Sequence, residues 1–401
     1  MNRQERILLI LLATINFTHI LDFMIMMPLG NFLMPHFKIS AQYFSMIVAA
    51  YPVTAFVSGM IAAFFVDKYD RKKVLLFAYV GFIIGTITCG IAPSPALLMG
   101  ARILTGLFGG LIGAQVLSII ADTFPYEKRG QAMATIFMAF SMASVFGVPF
   151  SLYLAKLISW HAPFIFIGIL GIVLLPFLYK FLPPVTGHIQ NAGAEKSSIK
   201  QVFVSVFSNK SQRLALLLSG SLMLGHFLVI PFLNPYMEFN VGFTKAQTPM
   251  IYMAGGVCAM LSSTFIGKLA DKHGKLKVFT ICLFLSLLPI FLITNMPRIP
   301  FYYVLIVFGF WFTFSTGRNI PAQALISTVV NPAERGRFMS FNSSFQQLFT
   351  GAASIIAGLI VVDDKLTGKI YHYNWVGYLS IAIVSLCWFI ARMLAKNQQL
   401  Q

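Results

Sequence analysis

Apolar residues along this chain gather in long blocks, and polar residues are confined to short stretches between them. Each block runs to about 20 residues or more, the length a helix needs to cross the hydrocarbon core of a bilayer. Six such spans are expected near 6–30, 43–66, 74–93, 96–121, 131–155 and 163–182. Six more follow near 212–237, 247–270, 278–296, 301–330, 338–361 and 374–394. The runs are far longer than the alternating strands of about ten residues that build a membrane barrel. The pattern therefore predicts an all-α membrane protein with twelve transmembrane helices.

The polar stretches carry a second signal. Asp67-Lys-Tyr-Asp-Arg-Lys-Lys73 returns 204 residues later as Asp271-Lys-His-Gly-Lys-Leu-Lys277. His19 and Pro28 match His226 and Pro235 at an offset of 207, and Ala114-Gln115 matches Ala322-Gln323 at 208. Glu127-Lys-Arg-Gly130 is echoed by Glu334-Arg-Gly336. A period of half the chain predicts two homologous six-helix bundles, 1–182 and 212–401, joined by a polar linker over 183–211. Within that linker Ile199, Val202, Phe203 and Val206 recur at helical spacing, as in a short helix lying at a membrane surface. Repeated bundles of this kind are a transporter architecture.

Composition agrees. Of 401 residues, 58% are hydrophobic and 10% charged, and the mean hydropathy is +0.80; a soluble domain carries roughly a quarter charged residues. The net charge of +17 would suit nucleic acid, but its placement does not. Even-numbered loops and the termini hold 21 of the 29 Lys and Arg. Such asymmetry is a topology signal and places both termini in the cytoplasm. The N-terminal block lacks a cleavage site and reads as the first span. Four cysteines lie in apolar runs without metal-ligand spacing, so packing is their expected role. A phosphate-binding Gly-x-x-x-x-Gly-Lys loop is missing, as is any His/Cys cluster. An enzyme is not expected, nor a metal or other cofactor.

Several stretches resemble the major facilitator superfamily, over essentially the whole chain. Its signature Gly-x-x-x-Asp-Arg-x-Gly-Arg-Lys is similar to Ala63-Phe-Phe-Val-Asp67-Lys-Tyr-Asp70-Arg71-Lys72, where Ala63 and Asp70 replace glycines. The second copy keeps Gly267, Asp271 and Gly274. The resemblance implies a conformational latch built from Asp67, Arg71, Lys72 and Asp271, with Asp122 as partner. Arg102 with Gly106 resembles the family's intramembrane arginine motif, which implies proton coupling. Gly147-Val-Pro149 is similar to the helix-breaking element of antiporters, though Val148, Leu152 and Tyr153 stand where glycines are usual. Trp160-His-Ala-Pro-Phe164 resembles a motif of drug and sugar efflux carriers. Together these imply the twelve-span drug:proton antiporter branch and a place in a bacterial cytoplasmic membrane.

Asp22 lies deep inside a span, where a carboxylate costs about 2.5–3.5 kcal/mol on insertion scales and marks function by default. Low dielectric favours its neutral form, so it could accept a proton. At about 1.5 Å per residue, Arg102 and Asp22 lie about 9 Å and 12 Å below the same face. The two are expected to pair, with release of Arg102 when Asp22 is protonated; a fixed structural ion pair is the competing reading. Arg318 and Asn319 sit in Gly317-Arg-Asn-Ile-Pro321, expected to unwind beside a cavity and hold an anionic or hydroxyl-rich substrate, or else to serve a gate. His19 and His226 could relay protons or simply be neutral helix-interface residues. Gln115 and Gln323 could line the cavity.

The expected activity is proton-coupled export of a small amphipathic organic molecule. The alternative is import or facilitated passage of a sugar, organic acid or siderophore-like compound, and a non-transporting receptor or scaffold is a distant third. Expected partners are a small-molecule substrate, protons and membrane lipid, with the chain acting as a monomer.

Overall fold

The computed structural model describes residues 3–65, 68–124, 126–186, 207–330, 335–365 and 367–399. The expected linker helix, Asp67 and Glu334 lie outside these residues. The first half consists of α1 (Arg3–Ile25), the short α2 (Gly30–Phe37), α3 (Ala41–Phe65), α4 (Arg71–Gly90) and α5 (Pro95–Thr123). It continues through α6 (Tyr126–Met142), a π-helical turn (Ala143–Gly147), α7 (Val148–Leu157) and α8 (Ala162–Phe181). The second half begins with α9 (Lys210–Pro235), which runs into a π-helical turn (Tyr236–Val241), then α10 (Thr248–His273) and α11 (Lys275–Thr294). It ends with α12 (Phe301–Ser327), α13 (Arg335–Ile360) and α14 (Tyr373–Gln399). Between α13 and α14, Val362–Asp363 and Ile370–Tyr371 form a two-stranded antiparallel ribbon with Val362 opposite Tyr371.

Counting α6–α7 as one element, twelve long helical segments are present among the described residues. Ten are long and apolar enough to cross a bilayer; α12 and α13 carry more polar side chains, including the buried Arg318 and Asn342. Large apolar residues such as Phe77, Ile84, Leu261, Phe265, Leu288 and Leu359 are exposed, as expected of helices that contact lipid. The chain is an all-α membrane protein.

Helix starts follow from local chemistry. Ser94 caps α5 by accepting from the Leu97 amide at 3.2 Å, ahead of Pro95. Asn209 caps α9 through the amides of Ser211 and Gln212. The turns at Asp70 and Gly274 solve one problem in two ways. Gly274 adopts φ +94°, open to glycine without strain. At the equivalent position Asp70 keeps φ −58° and accepts from the amides of Lys72 (3.0 Å) and Val185 (2.9 Å). The departure from glycine thus ties the α3–α4 turn to the chain beyond α8.

Prolines act unevenly. Pro149 follows a π-helical turn, which accommodates its missing N–H and bulky ring, and Pro235 precedes another. Pro231 and Pro321 lie within continuous helix. The unwound segment expected at Gly317–Pro321 is therefore not observed. In apolar surroundings, unwinding would strand further backbone groups, and Gly317 removes the Cβ that would crowd Cys282 Sγ at 3.0 Å.

The halves meet along two lines. One is α3 against α13, the other the π-helical turn and α7 against α10. A continuous apolar core crosses between the halves at the end opposite the chain termini, through Leu29, Leu33, Phe44 and Phe232. A separate core fills the termini end of the first half around Tyr79, Ile112 and Ile119.

Candidate functional site

The expected charge pair is present. Arg102 Nη1 on α5 donates to Asp22 Oδ2 on α1 at 2.6 Å, and both side chains are 0% exposed. Two further helices complete the site. Thr86 on α4 donates to Asp22 Oδ1 at 3.2 Å, and the Tyr51 ring on α3 lies 4.8 Å from the guanidinium. One turn along α1, the His19 ring stands 6.0 Å from Tyr51 and 6.1 Å from Phe82. Gly109 makes this possible, because a Cβ there would collide with the Tyr51 hydroxyl and approach His19. Phe23, adjoining Asp22, packs on both Tyr51 and Phe227 of the second half.

The pair is incomplete as a hydrogen-bond network. Among the described residues, Arg102 Nε and Nη2, the Tyr51 hydroxyl and both His19 nitrogens have no hydrogen-bond partner. Buried donors left in this condition are costly. A single ionised carboxylate balances a single guanidinium here, so proton uptake at Asp22 would remove the counter-charge of Arg102. Thr86 and Tyr51 escaped the sequence reading, because hydroxyl-bearing residues are too common in spans to stand out.

Other expected residues fall in different places. Arg318 is 0% exposed inside the second half and donates from Nη1 to Ser286 Oγ on α11 at 2.7 Å. Asn319, Gln323 and His226 are half-buried, and Gln115 is buried. Asn319 Oδ1 and Gln115 Oε1 have no partner. His226 stacks on Trp311 with ring centroids 5.2 Å apart. Gly147 lies against Leu21 of α1, where an added Cβ would come within 2.7 Å of a methyl group.

Among the latch residues, Arg71 Nε donates to Asp122 Oδ2 at 2.9 Å, and Lys72 Nζ donates to the Tyr179 carbonyl of α8 at 2.8 Å. Asp271 is exposed. Cys89, Cys282 and Cys387 are buried and Cys258 is half-buried, all as free thiols.

A second polar cluster bridges the halves at the end opposite the termini. Asn31 of α2 donates to Glu238 Oε2 in the π-helical extension of α9. Asn234 donates to the Pro28 carbonyl at 2.9 Å and accepts from the Tyr252 hydroxyl. Lys245 Nζ lies 3.9 Å from Glu238 Oε1 and 4.3 Å from the Phe32 ring centre. Nearby, Asp363 Oδ1 accepts from the Ala41 amide at 2.8 Å. The apolar pattern ends the seventh span near 237; the π-helical turn carries the helix past Glu238.

Comparisons with known proteins agree with this architecture. In Escherichia coli (strain K12), the inner membrane transport protein YdhP is 28% identical over 248 residues, 61% of this chain and 62% of that protein. A multi-drug resistance efflux pump PmrA homolog of Lactococcus lactis is 25% identical over 360 residues, 84% of this chain and 83% of that protein. A bacterial homolog of the human lysosomal transporter Spinster, solved in an inward-facing and unoccupied conformation, superposes with a TM-score of 0.79. It is 14% identical, with 99% of each chain covered. The sequence profile of the Major Facilitator Superfamily matches residues 12–228 and again 215–399. With twelve long helices and a buried intramembrane charge pair, the chain belongs to the Major Facilitator Superfamily and is a multi-pass membrane transporter.

Proposed function

We propose that the chain is a proton-coupled exporter of a small amphipathic organic molecule, working by alternating access between its two halves. The observation that carries this reading is the Asp22–Arg102 pair, fully enclosed and contacted by α1, α3, α4 and α5. A carboxyl group at this depth can serve as a proton carrier, and its loss of charge would free a guanidinium that four helices hold in place. His19 and Tyr51 extend the site toward the termini end and are its proposed route for protons. Asn319, Gln323, Gln115 and His226 are the proposed substrate contacts; Asn319 Oδ1, Gln115 Oε1 and His226 Nδ1 have no partner among the described residues. The Arg71–Asp122 ion pair, with Lys72, Asp67 and Asp271, is the proposed latch, and Gly147 and Pro149 the flexible point of the first half. The efflux-pump relative supports the direction of transport. Both termini are assigned to the cytoplasmic side of the cytoplasmic membrane from the placement of Lys and Arg. With that orientation, the apolar core between the halves closes the outer side in this structure.

Everted membrane vesicles with a preset pH gradient test the proposal. Adding neutral and anionic amphipathic dyes should collapse the gradient when the chain is present, and Asp22→Asn should abolish the response while dye binding persists. An importer would leave the gradient standing, and an Asp22→Asn protein that still drove uphill transport would end the coupling role of this group.

A further inference from the structure

Arg102 is paired with a carboxylate; among the described residues Arg318 is not. Arg318 lies about 14 Å from the nearer end of α12, counting helical rise, and is 0% exposed. Its guanidinium carries five N–H donors and no acceptor. The hydroxyl of Ser286 engages Nη1, while Nε and Nη2 have no partner among the described residues. No described carboxylate pairs with it.

The same face of α12 carries two more donors in this condition. Trp311, Ser315 and Arg318 follow one another at spacings of four and three residues, along the buried stripe that runs from Val304 to Leu325. Trp311 Nε1 and Ser315 Oγ are both buried without a partner among the described residues. Side chains on a helix lean toward its N-terminus, so Arg318 reaches back over Ser315, and both lie below Trp311. The surrounding groups supply little that could accept. His226 of α9 covers Trp311 by stacking and leaves its own Nδ1 unpartnered among the described residues, Cys282 of α11 lies beside Gly317, and the Cys387 thiol of α14 donates to the Ile383 carbonyl.

A charge enclosed in protein needs an opposing charge, and buried donors need acceptors. One requirement here is electrostatic and the other directional, and a single kind of ligand meets both. It must accept hydrogen bonds without donating them, carry one negative charge against one guanidinium, and be compact enough to lie within a single bundle. We propose that Arg318 and Ser315, with Trp311 above them, bind one small monovalent inorganic anion of the chloride class inside the second half. The anion does for Arg318 what the covalently held Asp22 does for Arg102. It neutralises the buried guanidinium of the second half with a group that takes up no proton, unlike the carboxyl that faces Arg102. This site is separate from the proposed proton-coupled export, and its test does not read transport.

The experiment uses the purified full-length protein in detergent, with sodium chloride exchanged for sodium gluconate at constant ionic strength. Chloride and bromide should raise Tm saturably. Ser315→Ala should shift the midpoint to about tenfold higher halide, the effect of losing one hydrogen bond to an ion. Arg318→Gln should remove the dependence altogether. Bromide-soaked crystals of the unaltered protein should show an anomalous peak within hydrogen-bond reach of Arg318, which decides the matter even if Arg318→Gln does not fold. A Tm indifferent to halide, a response unchanged in both variants, or a bromide-soaked crystal without the peak would overturn the proposal and leave water as the occupant.

Discussion

Asn31 and Glu238 are hydrogen-bonded to each other across the boundary between the halves, and they are 207 residues apart. That is the offset relating His19 to His226 and Pro28 to Pro235. Residues equivalent under the internal repeat can meet only near the axis relating the two copies, so this contact marks the pseudo-symmetry axis at one end of the molecule. Neighbouring Asn234 reaches Pro28 across the same point.

The contact should therefore hold that end shut. A hydrogen bond to a charged group contributes about 1.5–3 kcal/mol, and Glu238 keeps some contact with solvent, so about 1 kcal/mol is expected from Asn31. Asn31→Ala should shift the population toward the opened form roughly fivefold, since each 1.4 kcal/mol is tenfold. Spin labels at the exposed positions Lys38 and Ala246 would report it as a longer distance component. An unchanged distance distribution would show that the apolar core alone closes this end.

Asp22 and Arg102 should behave as one thermodynamic unit. Removing either member of a buried pair leaves the other uncompensated and costs about 3–5 kcal/mol. Asp22→Asn and Arg102→Gln should each lower stability in mixed micelles. The double variant should lose less than the sum, with a coupling of about 0.5–3 kcal/mol. Strictly additive losses would mean that the 2.6 Å contact carries no interaction worth measuring.

Glycines on one helix should divide sharply. A Cβ on Gly106 would meet the backbone of Tyr51, its Cα at 2.8 Å, and one on Gly110 would meet Ala55 Cα at 2.9 Å. Gly113, on the same α5, has nothing within 4 Å. Gly106→Ala should therefore push α3 from α5 and destabilise by about 1–3 kcal/mol, whereas Gly113→Ala should leave Tm unchanged or slightly raised. Equal effects at the two positions would contradict the close approach of these helices.

The spans were legible because a bilayer imposes length and apolarity together, and few soluble elements satisfy both. Asp22 and Arg102 were legible for a related reason: charges are so rare in such blocks that counting helical rise from a common face put them at similar depth. The same rarity drew attention to Arg318, but propensity misled there. Gly317 and Pro321 suggested unwinding, whereas the cost of unpaired backbone in an apolar interior keeps α12 continuous. Glu238 was missed because it falls just beyond the apolar run, and a π-helical turn leaves no mark in hydropathy. Its offset from Asn31 was readable all along, yet an acid facing an amide does not look like a repeat. The departure at Asp70 was visible but unexplained until its carboxylate was found capping α4 and holding Val185.

Along α3 and α13 the close contacts fall in antiparallel order, Ser45 with Gly358, Val53 with Gly351 and Gly59 with Ser344. A glycine stands on one side of each, so the two backbones lie nearly in touch over most of their length. Such a line runs across the membrane and acts as a seam: with no side chain between the backbones at these points, neither helix can draw away from the other without leaving a void. Any rocking of the halves therefore has to slide along this seam rather than part it.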